Sequence, residues 1–221
     1  MSQQHRYADV IVATFCGCLL LANVAATKLI QVGPEWTPLG LHLLPLVFDG
    51  GALLFPVTYI LGDVLAEVYG FRQAQRAIVT GFILSAVAAL SFWAVDSAPP
   101  AADWENQAAW HAVLGFVPRI CAASLVGYLV GQLINARVLV WLRDRARPGS
   151  LWSRLLGSTV AGGAADTILF CGISYIGVVG FGTLANYIVV GYAYKLGVEA
   201  VLLPVTMRVI RFVKRKEGVT V

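Results

Sequence analysis

The chain has 221 residues, of which 58% are hydrophobic and 13% charged, with a mean hydropathy of +0.76. Charged residues make up about a quarter of an ordinary soluble domain, so this composition excludes one and leaves room for roughly six membrane helices of about 20 residues with short connections. The net charge of +4 sits in short loops and at the C-terminus, where it orients a membrane protein rather than binding nucleic acid, and no Gly-rich Lys-Ser/Thr loop marks an ATPase.

In chain order, residues 1–9 are short and polar, and the apolar run behind them lacks a small-residue cleavage site. It reads as a retained helix rather than a signal peptide. The first helix is expected over 8–30, with Asn23, Thr27 and Lys28 giving its second half a polar streak. Residues 31–44 read as a Gly/Pro-rich loop carrying Glu35 and Trp36, and a second helix follows over 45–69, irregular near Gly50 and Pro56. Residues 70–76 form a basic turn before an almost purely apolar third helix over 77–95. An acidic connection over 96–110 leads to a fourth helix over 111–142 that holds Arg119, Gln132 and Asn135. A basic loop over 143–150, ending in Pro148 and Gly149, precedes a fifth helix over 151–179 with the small-residue run AGGAAD and Asp166. After an uncharged turn over 180–186, the sixth helix, 187–213, carries Lys195 and Glu199 and runs into a basic tail.

The expected fold is therefore an all-α integral membrane protein with six transmembrane helices, a single polytopic domain over 1–221. Arg6, Arg72, Arg76, Arg143, Arg145, Arg147, Arg154 and Lys214–Lys216 fall on one side of that arrangement. Glu35, Asp96, Asp103 and Glu105 fall on the other, which places both termini in the cytoplasm. All six Trp residues lie near span ends or in loops, as an aromatic belt requires. Three plus three helices would make an inverted repeat in which Asp63 and Asp166 correspond.

The segment FDGGALLFPVTYILGDVLAEVYGFRQAQR, residues 48–76, organises the rest. Asp63 and Glu67 lie one helical turn apart on one face, with Tyr59 one turn back, inside an otherwise apolar run. A charge in hydrocarbon costs from about 2.5 to more than 10 kcal/mol, so this face should look into protein or water. Lys28, Arg119, Asp166, Lys195 and Glu199 complete a set of intramembrane ionisable groups, joined by Asn23, Gln132 and Asn135. Lys195 and Glu199, one turn apart, can neutralise each other; Arg119 either reaches the interface or pairs with a carboxylate. Asp63, Glu67 and Asp166 then outnumber their partners, which leaves at least one carboxylate for a ligand or a proton.

Other features read structurally. Cys16, Cys18, Cys121 and Cys171 fall inside apolar segments as small buried hydrophobes. Gly127 with Gly131, and Ala22 with Ala26, are small-residue pairs suited to close helix packing, and are candidate faces for a homodimer. His42 and His111 sit at loop edges as solvated side chains, and no spacing of His, Cys and carboxylate marks a metal site. No nucleophile–base arrangement of an intramembrane enzyme is apparent, and no cofactor is expected.

The segments ANVAATKLI, FDGGALLFPVTYILGDVLAEVYGFRQAQR and RLLGSTVAGGAADTILFCGISYIG resemble the queuosine precursor transporter family, also described as vitamin-uptake-type transporters. The most specific part is D-x-x-x-E-V-Y-G at Asp63–Gly70 together with A-D-T-x-x-F around Asp166. The resemblance implies a multi-pass protein of the bacterial inner membrane that imports 7-cyano- or 7-aminomethyl-7-deazaguanine (preQ0, preQ1). At Asn135 the chain departs from the acid expected in relatives. A deazaguanine presents N1–H and an exocyclic amine side by side, and one carboxylate can accept both. Asp63, Glu67 or Asp166 could supply it, Asn23 or Gln132 could complete the polar contacts, and Tyr59, Tyr69 or Phe170 could stack on the ring. Asp63→Asn and Glu67→Gln are both expected to lose uptake. The alternative is a substrate-capture subunit that borrows an ATPase partner for vitamin uptake.

Overall fold

Helices break in this protein where the sequence supplies Gly, Pro or an extended β-branched run. The computed structural model describes residues 7–36, 44–145 and 151–218, with side chains described for 7–34, 45–142 and 157–218. Arg6, His42, Arg147, Pro148 and Gly149 lie outside the described residues, as do the side chains of Glu35, Trp36, Arg143, Arg145, Trp152 and Arg154.

The first helix, α1, covers Ala8–Ala25 and stops short of residue 30. Its last turn tightens as Thr27 N–H and the Thr27 hydroxyl both donate to the Val24 carbonyl, at 3.1 and 2.8 Å. The chain then runs extended as β1 (Leu29–Trp36), which pairs with β2 (Leu44–Asp49) in a two-stranded sheet. This corrects two expectations: 31–44 is not simply a loop, and 45–54 is not the start of the second helix. Ile30, Val32, Val47 and Phe48 favour strand, and Pro34 and Pro45 resist helix. A one-turn 3₁₀ helix, Gly50–Leu53, follows, capped by the Asp49 carboxylate, which accepts Ala52 N–H at 3.1 Å. Here glycine is required by contact. A Cβ on Gly50 would lie 2.5 Å from the Ala25 carbonyl oxygen, and one on Gly51 would lie 2.6 Å from that of Ala22.

The second helix, α2, spans Phe55–Tyr69, with Pro56 in its first turn, where a missing N–H costs nothing. Gly70, at φ 86°, turns the chain directly into α3 (Phe71–Ser97). The expected basic turn over 70–76 thus shrinks to one glycine, and Arg72 and Arg76 are helical. The expected continuous helix over 111–142 is two: α4 (Gln107–Val113) and α5 (Val117–Arg145). They part at Gly115, where a Cβ would meet the His111 carbonyl oxygen at 2.5 Å, and Pro118 sits in the first turn of α5. The sixth helix, α6 (Leu151–Tyr175), ends before Gly177 at φ 78°, and α7 (Phe181–Glu217) begins six residues before the expected 187.

The described residues are mostly helical, and three segments are long and apolar enough to cross a membrane: Ala8–Ala25, Phe71–Ser97 and Gln107–Leu142. The chain forms two compact units. One comprises Met1–Ile30, Asp49–Pro118 and Tyr194–Val221; the other comprises Gln31–Phe48 and Arg119–Ala193. In the first, Phe15 and Cys16 of α1 pack with Leu65 of α2 and Ala74 and Ala77 of α3. Val64 and Val68 of α2 pack with Ile210 of α7. In the second, α5 and α6 meet through glycines, and Tyr175 meets Tyr187 edge-on at 5.3 Å. Asn186 accepts the Val47 N–H of β2 at 3.2 Å.

Candidate functional site

The polar side chains of α2 face α7 in the first unit. Phe55, Tyr59 and Asp63 form one stripe, each a turn beyond the last. Opposite them, Tyr194 donates its hydroxyl to the Ala52 carbonyl at 3.0 Å, and the Lys195 ammonium lies 6.0 Å above the Phe55 ring. The Tyr59 hydroxyl lies near Glu199. Half-buried Asp63 sits within electrostatic range of both Glu199 and Glu67. Two helices therefore bring Tyr59, Asp63, Lys195 and Glu199 together, with Phe55 as an aromatic floor. Such a group can accept paired N–H donors at a carboxylate and offers a ring face for a flat ligand.

Other candidates of this unit lie elsewhere. Glu67 is 64% exposed and faces Lys214 at 3.8 Å, so it does not share the position of Asp63. Tyr69 donates its hydroxyl to Glu217 at 2.8 Å. Asn23 is 6% exposed and donates to the Ser85 hydroxyl at 3.1 Å, which makes it a clasp between α1 and α3. Lys28 is exposed just past α1, and its backbone carbonyl accepts Gly50 N–H at 2.8 Å. His111 places Nδ1 2.6 Å from an Asp96 carboxylate oxygen while its side chain is 73% exposed. None of the four cysteines is in a disulfide, and Cys16, Cys121 and Cys171 are buried.

In the second unit, Asp166 rests on the groove made by Gly127 and Gly131 of α5. A Cβ on Gly127 would lie 2.9 Å from an Asp166 carboxylate oxygen, and one on Gly131 would lie 2.9 Å from the Asp166 Cβ. That small-residue pair is thus used within the chain. Asn135 packs on Gly162, and its buried Oδ1 has no hydrogen-bond partner among the described residues. Gln132 is exposed, and Phe170 is half-buried on α6. Arg119 donates from Nε to the Ile173 carbonyl and from a terminal nitrogen to that of Ile176, each at 2.6 Å. It thereby satisfies the unpaired carbonyls at the C-terminus of α6, where a cation also suits the helix dipole. Sequence reasoning did not single out Phe55, Thr167 or Ser174. The Thr167 and Ser174 hydroxyls are buried on α6 without a partner among the described residues. Phe55 was legible as the next member of the 59/63 stripe; the two hydroxyls carry no sequence signal.

Residues 49–209 match the profile of a family described as "Putative vitamin uptake transporter". The chain belongs to that family. The matched stretch of this vitamin uptake transporter homologue contains Tyr59, Asp63, Asp166, Lys195 and Glu199, while Asn23 and Lys28 precede it. The chain is similar to the "Probable queuosine precursor transporter" of Bacillus subtilis, at 27% identity over 156 residues, 70% of this chain and 68% of that protein. It is also similar to the "Queuosine precursor transporter" of Escherichia coli, at 29% identity over 125 residues, 57% of this chain and 54% of that protein. A Haemophilus influenzae protein with the name "Probable queuosine precursor transporter" is 27% identical over 125 residues, 57% of this chain and 51% of its own length. The matched part thus spans about half the length of the E. coli and H. influenzae relatives. No solved structure matches the chain significantly.

Proposed function

We propose that the protein imports queuosine precursors, the 7-deazaguanine bases 7-cyano- and 7-aminomethyl-7-deazaguanine, across the bacterial inner membrane. The names of its relatives and its family membership support the substrate class. The observation that carries the site is Asp63, half-buried beside Tyr59 and Glu199. In this reading Asp63 accepts the N1–H and exocyclic amine of the base together, and an aromatic ring of the 55/59 stripe covers its face. Asp166, on its glycine groove, is the second candidate carboxylate.

The six crossings are α1, the segment from β2 through α2, α3, α4 with α5, α6 and α7, with both termini in the cytoplasm. Transport proceeds by alternating access around the base, and the inverted repeat and homodimer expected from the sequence belong to the same proposal. A bound base stabilises the folded protein by mass action, by about 2.7 kcal/mol at a hundred times its Kd. Purified protein should therefore melt several degrees higher with either deazaguanine and unchanged with adenine. A flat response to both deazaguanines contradicts the assignment.

A further inference from the structure

The 37 residues of α7 extend about 55 Å at 1.5 Å per residue, against about 30 Å of hydrocarbon in a bilayer. As the proposed sixth crossing it extends past the hydrocarbon, which puts its C-terminal part at a membrane interface, and there Arg208, Arg211 and Arg215 are all exposed. Their i, i+3, i+7 spacing puts them on one stripe. The start of α3 is tied to the same end. Tyr69 donates to Glu217 at 2.8 Å, and Gly70 turns α2 straight into α3, which brings in exposed Arg72 and Arg76.

Two of the three nearby acids are taken up. Glu217 accepts both the Tyr69 hydroxyl and the Tyr7 N–H, each at 2.8 Å, and Glu67 faces Lys214 at 3.8 Å. Asp9, exposed on the first turn of α1, is the other acid at this end. Among the described residues, none of the five arginines has an ion-pair partner. Phe212, 61% exposed, stands on the same helical segment with the Lys216 ammonium 5.8 Å from its ring. Cations interleaved with an exposed aromatic suit a membrane interface, where the ring enters the headgroup layer. A nucleic acid or an acidic protein would leave that ring in water. The guanidinium fork matches a phosphate diester by paired hydrogen bonds, which a lysine cannot do.

We propose that this surface binds the phosphate groups of anionic membrane phospholipids, with Arg208, Arg211 and Arg215 as its centre and Arg72 and Arg76 beside them. The inference rests on the reading of α7 as a membrane crossing, and not on the identity of the transported base. The test uses the full chain purified in detergent. Native mass spectrometry compares retention of phosphatidylglycerol and cardiolipin with that of phosphatidylethanolamine, for wild type and for the triple variant Arg208→Gln/Arg211→Gln/Arg215→Gln. Each basic residue near an anionic surface contributes about a fivefold change, so the triple variant should lose anionic lipid roughly a hundredfold. The double variant Arg72→Gln/Arg76→Gln, which leaves α7 intact, should lose less, roughly twentyfold, and serves if the triple variant does not fold.

Equal retention of anionic and zwitterionic lipid by the wild type overturns the proposal. So does unchanged retention by the variants, or displacement of the lipid by inorganic phosphate, which would mark a free-anion site. Stabilisation by deazaguanine, measured on the same preparations, separates the two ideas. Its loss in wild type with lipid discrimination intact refutes the transport assignment alone, and the converse refutes this surface alone.

Discussion

If Asp63 holds the base as proposed, replacing it with Asn should cut uptake of 7-cyano-7-deazaguanine at least tenfold in cells that depend on this protein, while the amount of protein in the membrane stays the same. Asn has nearly the shape of Asp, so helix α2 still packs through Leu65 and Val64 as before. What changes is the acceptor. The carboxylate offers two charged oxygens to two N–H donors, whereas Asn turns an NH₂ toward one of those donors. A hydrogen bond to a charged group contributes about 1.5–3 kcal/mol, which is roughly ten- to a hundredfold in binding. The sequence places Glu67 on an equal footing with Asp63, but the structure separates them. Glu67 is exposed and paired with Lys214 at 3.8 Å, and exposed pairs contribute up to about 1 kcal/mol. Glu67→Gln should therefore keep uptake within about fivefold of wild type. Radiolabelled or mass-detected base accumulation, normalised to membrane protein, checks both variants. Normal uptake by Asp63→Asn contradicts the carboxylate site.

Gly162→Ala should destabilise the protein although Ala is the better helix former by about 1 kcal/mol. A Cβ at that position lies 2.7 Å from both the Asn135 Cβ and the Gly131 carbonyl oxygen. Neither is the end of a flexible side chain, so α5 and α6 must separate. Overpacking of this kind costs about 1–3 kcal/mol, and each kcal/mol lowers the melting temperature by roughly 2–4 °C in a chain of this size. Gly172, on the same helix, has nothing within 4 Å of an added Cβ. Gly172→Ala should be neutral or slightly stabilising. Thermal unfolding of the two variants side by side tests the α5–α6 contact, and an equal or higher melting temperature for Gly162→Ala contradicts it.

The helical apolar segments were legible because hydropathy over twenty residues is a local property. The two-stranded sheet was not, since β1 and β2 are short and interrupted by Pro34 and Pro45, and their pairing joins residues that are distant on any helical template. The break at Gly115 was hidden by the unbroken apolarity on either side of it. At the site, the Tyr59–Asp63 stripe follows from helical spacing alone. The partners do not. Lys195 and Glu199 lie one turn apart, which lets them neutralise each other, and α2 meets both, with Phe55 under the ammonium and Tyr59 near the carboxylate. Asn23 and Arg119 looked like ligand or carboxylate partners, because a polar residue in an apolar run gives no hint of which neighbour it meets. Asn23 meets Ser85, 62 residues away, and Arg119 meets the end of α6, 54 residues away and beyond.

As proposed, this chain moves a 7-deazaguanine base through the membrane. Its most direct test is uptake of 7-cyano-7-deazaguanine into liposomes that contain only the purified protein, with adenine as competitor. Import that saturates with the base, ignores adenine and disappears in Asp63→Asn is the result predicted here. Empty liposomes and protein-containing liposomes that fill at the same rate would contradict it.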